Sequence, residues 1–489
     1  MNRVVSLFPV ALALATQPGT AQHVPADPYW PGLDQPKLIT PQWIGEEGVK
    51  AVVILSIDDM SDTGKYERFL RPILDRLKKI DGRAPVSITT MGIDPMDQQV
   101  QSWLKEGVSI ESHTMSHPCP LLAGGDFAKA KSTVNRNIDL PFTIPNTEPV
   151  AFRMPCCDSQ NSVSPRFFAE IMHRTTEAGN FLRADSSVFN LFTPEDTALP
   201  RELIAPAGAK KGRLAKYLPL DRGFVNVIEN YPYPYVIGNM SWQIPGGVPS
   251  DWAGQHQHGS RNPKTVEDWK AGIDCTVIKQ GVFALVFHPH GWVDPAQVVE
   301  LIDHCVAKHG KKVKFLTLRE TYQRLRDNAL GGWTLRDDAG DSTGIQVRDL
   351  DQDGFIDVWN PKVGKARRWN KKTGEWMVHR FPRPGDRVPE QAAHPAALRL
   401  VDLDGDGDQD KVFSDVDEFW VKIQQADKTW KDGLSGKRGD RDPVNEIPMI
   451  VRKDGSDNGA WFAKGWMYIQ NEHTGNKPGQ VERDRKSVV

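Results

Sequence analysis

Val52-Val53-Ile54-Leu55-Ser56-Ile57-Asp58-Asp59 is a β-branched apolar run that ends on two adjacent carboxylates. A short, continuously apolar run is the mark of a strand buried on both faces of a parallel sheet, and polar residues at its end stand at the strand's C-terminal edge. The same rhythm repeats outward from it. Tyr66 to Ile80 places Phe69, Leu70, Ile73, Leu74 and Leu77 on one helical face, and further helices are expected around Val100 to Leu104, Ala128 to Ile138, Pro165 to Ala178, Val266 to Lys279 and Ala296 to His309. Between them Val86 to Ile88, Val108 to Ile110, Val150 to Phe152, Phe181 to Arg183, Phe283 to Phe287 and Val313 to Leu316 read as strands. Such alternation predicts an α/β fold with a parallel sheet, and this many units predict a (β/α) barrel or a distorted version of one. The stretch 195–263 is too long for a simple connection and reads as an inserted loop region, with His256 and His258 in a flexible polar loop.

Composition sets the outer limits. Across 489 residues, 61 Lys+Arg stand against 63 Asp+Glu, so no basic surface for nucleic acid is expected. Fifteen Trp and a 39% hydrophobic content argue for packed domains over a disordered chain. Met1-Asn2-Arg3, the apolar run Val4 to Ala15 and the small residues Gly19-Thr20-Ala21 predict a signal peptide over 1–21 and a secreted or periplasmic protein. That run falls short of the roughly 20 apolar residues a spanning helix needs, so no transmembrane span is expected. The cysteines, Cys119, Cys156, Cys157, Cys275 and Cys305, are odd in number and allow no pairing to be read, although the neighbours Cys156 and Cys157 are not expected to join each other.

After Leu330 the helical periods stop, and short strands alternate with Gly, Asp and Trp. Asp349-Leu-Asp351-Gln-Asp353-Gly-Phe-Ile-Asp357 recurs as Asp402-Leu-Asp404-Gly-Asp406-Gly-Asp-Gln-Asp410, each acidic position 53 residues after its counterpart. Alternating carboxylates around a turn present hard oxygens to one ion, as Ca2+ prefers. The twelfth loop positions, Asn360 and Phe413, lack the Glu of an EF-hand, and the flanks Gly344 to Val347 and Leu398 to Val401 read as strands. Over roughly residues 333 to 480 the pattern resembles the calcium-binding repeats of FG-GAP or VCBS-type β-propellers, which implies Ca2+ in the C-terminal loops and a glycan or protein ligand for the propeller. A closed propeller needs about four blades, more than this length holds, and Asp484 to Val489 is what a common sequencing adapter encodes when read through. The region 331–489 is therefore expected to be truncated.

Chemistry gathers at the strand ends between 22 and 330. Asp58-Asp59 follow the first strand, Glu111-Ser-His113-Thr-Met-Ser-His117 the third, and then come Arg153-Met-Pro-Cys156, Asp185 and His288-Pro-His290. The C-terminal edge is where such barrels place catalytic groups, and two His with one Asp leave a metal open positions for water and substrate. In this order the motifs resemble the NodB-type polysaccharide deacetylases of carbohydrate esterase family 4, over about residues 50 to 325. The resemblance implies that Asp59, His113 and His117 hold a divalent ion, Zn2+ or else Co2+, Mn2+ or Ni2+. It further implies that Asp58 is the general base on a water the ion makes acidic, and that the backbone N–H of Cys156 stabilises the oxyanion. His288 would be the general acid, with His290 as the alternative, while Asp185 tunes it and Arg153 orients Asp58. Met60 and Cys156 depart from the family pattern.

The resemblance implies a secreted metal-dependent deacetylase that removes N- or O-acetyl groups from an acetylated polysaccharide or oligosaccharide. The competing readings are a non-catalytic adhesin or scaffold and a hydrolase of other non-peptide C–N bonds. Tyr231, Tyr233, Tyr235, Trp242 and Trp252 of the insertion suit either sugar stacking or core packing.

Overall fold

The computed structural model describes residues 3–5, 29, 31–33, 35–157, 163–206, 212–217, 227–381, 397–401, 403–404, 410–440, 446–463, 466–475 and 482–484. Nearly all of 1–21 therefore lies outside the described residues, as do Asp402 and Asp406. Arg3–Val5 pairs in parallel with Glu482–Asp484.

Strand Ala51–Met60 is the centre of a 12-stranded sheet. It pairs in parallel with Val282–Phe287 on one side and Val86–Thr90 on the other, while Val313–Phe315 joins its first residues. Beyond Val86–Thr90 come Ser109–Ser112, Ala151–Phe152 and Ala184–Asp185, all parallel. The sheet curls and its flanking helices pack outside, consistent with a distorted barrel of the deacetylase type. Helix Thr63–Asp81 shows why the sequence folds so. Asp62 accepts a hydrogen bond from Lys65 N–H to cap its start, Gly82 at φ 79° ends it, and Tyr66, Leu70, Ile73, Leu74 and Leu77 are buried on one face. Together with Trp103, Trp269 and Phe287 they fill the core between sheet and helices, each full burial contributing about 2 kcal/mol.

Three expectations are corrected. The helix expected from Pro165 to Ala178 stops at Met172 after a π turn. The strand expected at Phe181 to Arg183 forms instead at Ala184–Asp185, because Arg183 and Ala184 N–H both reach Val150 O and set the pairing there. The region 195–263 is more than an inserted loop: Val227–Glu229, Tyr235–Ile237, Ser241–Gln243 and Gly246–Gly247 are strands of the main sheet. Strands this short carry too little periodicity to be read from sequence. Gly247 is required, since a Cβ there would stand 2.2 Å from the Phe283 ring. Tyr231, Tyr233, Tyr235 and Trp242 are buried core residues. His256 and His258 lie on helix Asp251–His258, where His256 stacks on Trp252 and His258 meets Tyr217 Oη at 3.1 Å.

The C-terminal region holds two four-stranded antiparallel meanders, Gln346–Arg348 to Glu375–Arg380 and Leu398–Val401 to Trp430–Lys437. The sequence repeat is visible in their hydrogen bonds. Asp357 accepts from Leu350 and Trp369 N–H, and Asp410 accepts from Leu403 and Gln424 N–H. Both carboxylates are buried, tying each acidic loop to its sheet. This region also shares a core with the barrel: Leu335, Ile345 and Val358 pack with Trp43, Trp242 and Leu316. Arg336 is buried, donating to the carbonyls of Met172, Leu182, His173 and Gly340.

Candidate active site

Strand Ala51–Met60 bulges at its end, its register against Val86–Thr90 shifting between Ile57 and Met60. Asp59 sits there at φ 67°, a conformation that costs a non-glycine residue free energy and re-aims its side chain. His117 is held at φ 48°, its N–H bonded to Thr114 Oγ1 at 3.0 Å, so the segment from His113 turns back without forming a helix. The two imidazoles converge as a result, with His113 Nε2 and His117 Nε2 each 3.0 Å from Asp59 Oδ1. His113 Nδ1 meets the Arg153 carbonyl at 2.7 Å, which fixes the ring and leaves Nε2 for a ligand. Asp59, though burial raises its carboxyl, is driven well below the usual carboxylate range by His113, His117 and His290. A strained, ionised carboxylate between two oriented imidazoles has the donor set and spacing of a three-ligand site for a divalent ion.

The other site residues surround this trio. Asp58 is buried with Oδ1 accepting from Thr89 Oγ1 at 2.8 Å, and the Tyr66 hydroxyl donates to its backbone carbonyl. Arg153 does not reach Asp58: its Nη2 donates to Ser186 Oγ at 3.0 Å, and its Nε and Nη1 are buried without a hydrogen-bond partner among the described residues. His288 Nε2 is 3.8 Å and His290 Nε2 3.1 Å from Asp59 Oδ2, with the two rings stacked and Trp292 edge-on to both. Cys156 has φ 54° and is joined to Cys119 by a disulfide, bracing the loop after Ser109–Ser112 against the loop after Ala151–Phe152.

The partner of His288 is the residue the sequence reading missed. Asp251 Oδ1 lies 2.8 Å from His288 Nδ1, and Asp251 Oδ2 accepts the His288 backbone N–H at 2.7 Å. Burial pulls the imidazole down, but Asp251, then Asp59 and Asp58, push it up to about 10. Asp185 does not perform this task. It is turned onto Ser187, whose N–H and Oγ both donate to it, and burial raises it to about 6 against the opposing effect of those bonds and of Arg153. Asp251 begins a helix capped by Ser250, four residues after the strand Gly246–Gly247, and nothing in the local sequence marks it as the partner of His288.

Of the C-terminal acidic residues, Asp349, Asp351 and Asp353 gather with their oxygens within 4.8 Å of one another. Asp349 also accepts from the N–H groups of Gln352, Asp353 and Gly354. Asp404 is exposed.

Residues 45–164 match the family model for polysaccharide deacetylase, so this part of the barrel carries a polysaccharide deacetylase domain. No curated protein matches. Among solved structures, the chain is similar to the peptidoglycan deacetylase PdaC from Bacillus subtilis, with 15% identity, a TM-score of 0.30 and coverage of 59% of this chain and all of that one, 100%. It is similar too to a family 4 carbohydrate esterase from Streptomyces lividans in complex with acetate, at 13% identity, TM-score 0.28, 54% of this chain and 90% of that chain. Puue allantoinase matches at 12% identity, TM-score 0.37, 64% of this chain and 98% of that chain. Among the described residues no helix is long and apolar enough to cross a membrane.

Proposed function

We propose that the barrel is a metal-dependent deacetylase acting on an acetylated glycan outside the cytoplasm. The observation that carries this reading is the convergence of His113 and His117 Nε2 on one oxygen of Asp59, with Asp58 and the His288–Asp251 pair beside it. Asp59, His113 and His117 would hold the ion, which when bound lowers the pKa of water and polarises a carbonyl. Asp58, anchored by Thr89, takes the proton from the attacking water. His288, kept protonated by Asp251, gives a proton to the leaving nitrogen or oxygen. The Cys156 N–H is read as an oxyanion donor on a loop braced by the disulfide. Arg153 and Asp185 are read as a buried support beneath it, through Ser186 and Ser187. The Cys119–Cys156 bridge supports export, since disulfides persist in oxidising compartments. The two meanders are read as blades of a propeller with Ca2+ at the acidic loops, serving to bind glycan or protein.

Acetate release from acetylated chito-oligosaccharides, peptidoglycan and xylan by the full-length, Zn2+-loaded protein tests the reading. Release is expected, with loss of about 10²-fold or more in Asp58→Asn; a folded, metal-loaded protein that releases no acetate from any of them overturns it.

A further inference from the structure

The fold builds a second trio of the same composition away from the strand C-termini. Helix Pro263–Lys279 carries Asp274 near its end, and helix Pro295–His304 passes directly into a π turn over Cys305–His309. That wider turn, with its i→i+5 hydrogen bonds, brings His304 and His309 to the same side. Their Nε2 atoms lie 2.9 and 2.7 Å from a single oxygen, Asp274 Oδ1. The three ligand atoms fit within 4.8 Å of one another, as they do in the Asp59 trio. The side chains are nearly buried, with 8% of Asp274, 17% of His304 and 10% of His309 exposed.

We propose that Asp274, His304 and His309 form a second site for a divalent transition cation of the Zn2+ class. Two imidazole nitrogens and one carboxylate oxygen are a donor set that such ions take. Rings seeking only a hydrogen-bond acceptor have no need to share one, yet these two approach the same oxygen from different directions, their planes 81° apart. Lys308 Nζ donates to the other carboxylate oxygen at 2.8 Å, orienting Asp274 from outside. Its charge opposes a cation, so this site binds more weakly than the Asp59 trio. Both helices lead from here into the starts of strands, Val282–Phe287 and Val313–Phe315, so the trio lies at the edge opposite Asp58 and Asp59. In barrels that edge serves stability, not catalysis. The ion would clamp the end of one helix to the end of the next, and the proposal stands independently of the deacetylase reading.

The test is Zn2+ binding by untagged, chelator-stripped full-length protein, measured by equilibrium dialysis with excess Ca2+ to fill the acidic loops. The unaltered protein is expected to take up about two equivalents and His113→Ala/His117→Ala about one, which disappears when His304→Gln/His309→Gln is added. Zn2+ should also raise the Tm of His113→Ala/His117→Ala, and not that of the fourfold variant. If His304→Gln/His309→Gln fails to fold, Asp274→Asn, which keeps both rings, must lose the same equivalent. A folded His113→Ala/His117→Ala protein that takes up no Zn2+, or an Asp274→Asn protein with uptake unchanged, overturns the proposal.

Discussion

Replacing Asp251 with Asn tests the pairing proposed to make His288 the general acid. The substitution keeps the size of the side chain and an oxygen to accept the His288 backbone N–H, and it removes the charge 2.8 Å from Nδ1. With Asp251 present the imidazole titrates at about 10, although burial alone would lower it. Without that charge burial is opposed only by Asp59 and Asp58, and the ring falls toward its ordinary value of about 6.5. At pH 8 the protonated fraction then drops from nearly all to about one thirtieth, so kcat should fall about 30-fold there while staying within about twofold at pH 5.5. The assay is acetate release across pH 5 to 10 at saturating substrate. The alkaline limb of the profile should move down by about three pH units or more. An equal loss at every pH with the limb in place would refute the reasoning, because Asp251 would then serve only the fold. An unchanged profile would show that His288 does not act as the acid.

Three other outcomes follow from the same structure. Glu111 is fully buried, and desolvation outweighs its hydrogen bonds from the Val150 and Ala151 N–H groups, raising it from 4.5 to about 7. A raised carboxyl holds its proton longer in the folded state than in the unfolded, so stability should decline by about 3 kcal/mol as pH rises from 4.5 to 7; urea titrations should show that decline, and Glu111→Gln should flatten it. Removing the bridge as Cys119→Ser/Cys156→Ser frees a loop with a sequence separation of 37 and should cost about 4 kcal/mol in the chain-entropy account, again by urea titration. Arg336→Ala leaves the buried carbonyls of Met172 and Leu182 without their donor and should destabilise the barrel by about 2 to 4 kcal/mol, read as a lowered Tm of the barrel's own transition. An unchanged Tm would show that the region after residue 330 does not support the barrel.

Elements with long periods or clear punctuation were legible. Thr63–Asp81 has five buried apolar residues on one face and a glycine stop, and Val282–Phe287 is a continuous apolar run; both were expected where they form. The strands between 227 and 247 were not, since each is two or three residues long and forms because neighbours in the sheet offer it backbone partners. Asp59, His113 and His117 could be picked out because each follows a recognisable strand. Asp251 could not, because its role comes from a helix start that the curled sheet carries back beside His288 from 37 residues away.

By itself the sequence determined the α/β alternation, the edge of the sheet where the polar residues collect, the candidate metal trio and the repeat of the acidic loops. These depend on local periodicity and on spacing along the chain, which survive without coordinates. Only the tertiary structure decided that Asp251 and not Asp185 charges His288, that Cys119 pairs with Cys156, that Tyr231, Tyr233, Tyr235 and Trp242 of the insertion are core, and that Arg336 locks the C-terminal region to the barrel. Each of those depends on which distant groups meet once water is excluded, and a buried charge or donor takes whatever partner the packing brings within about 3 Å.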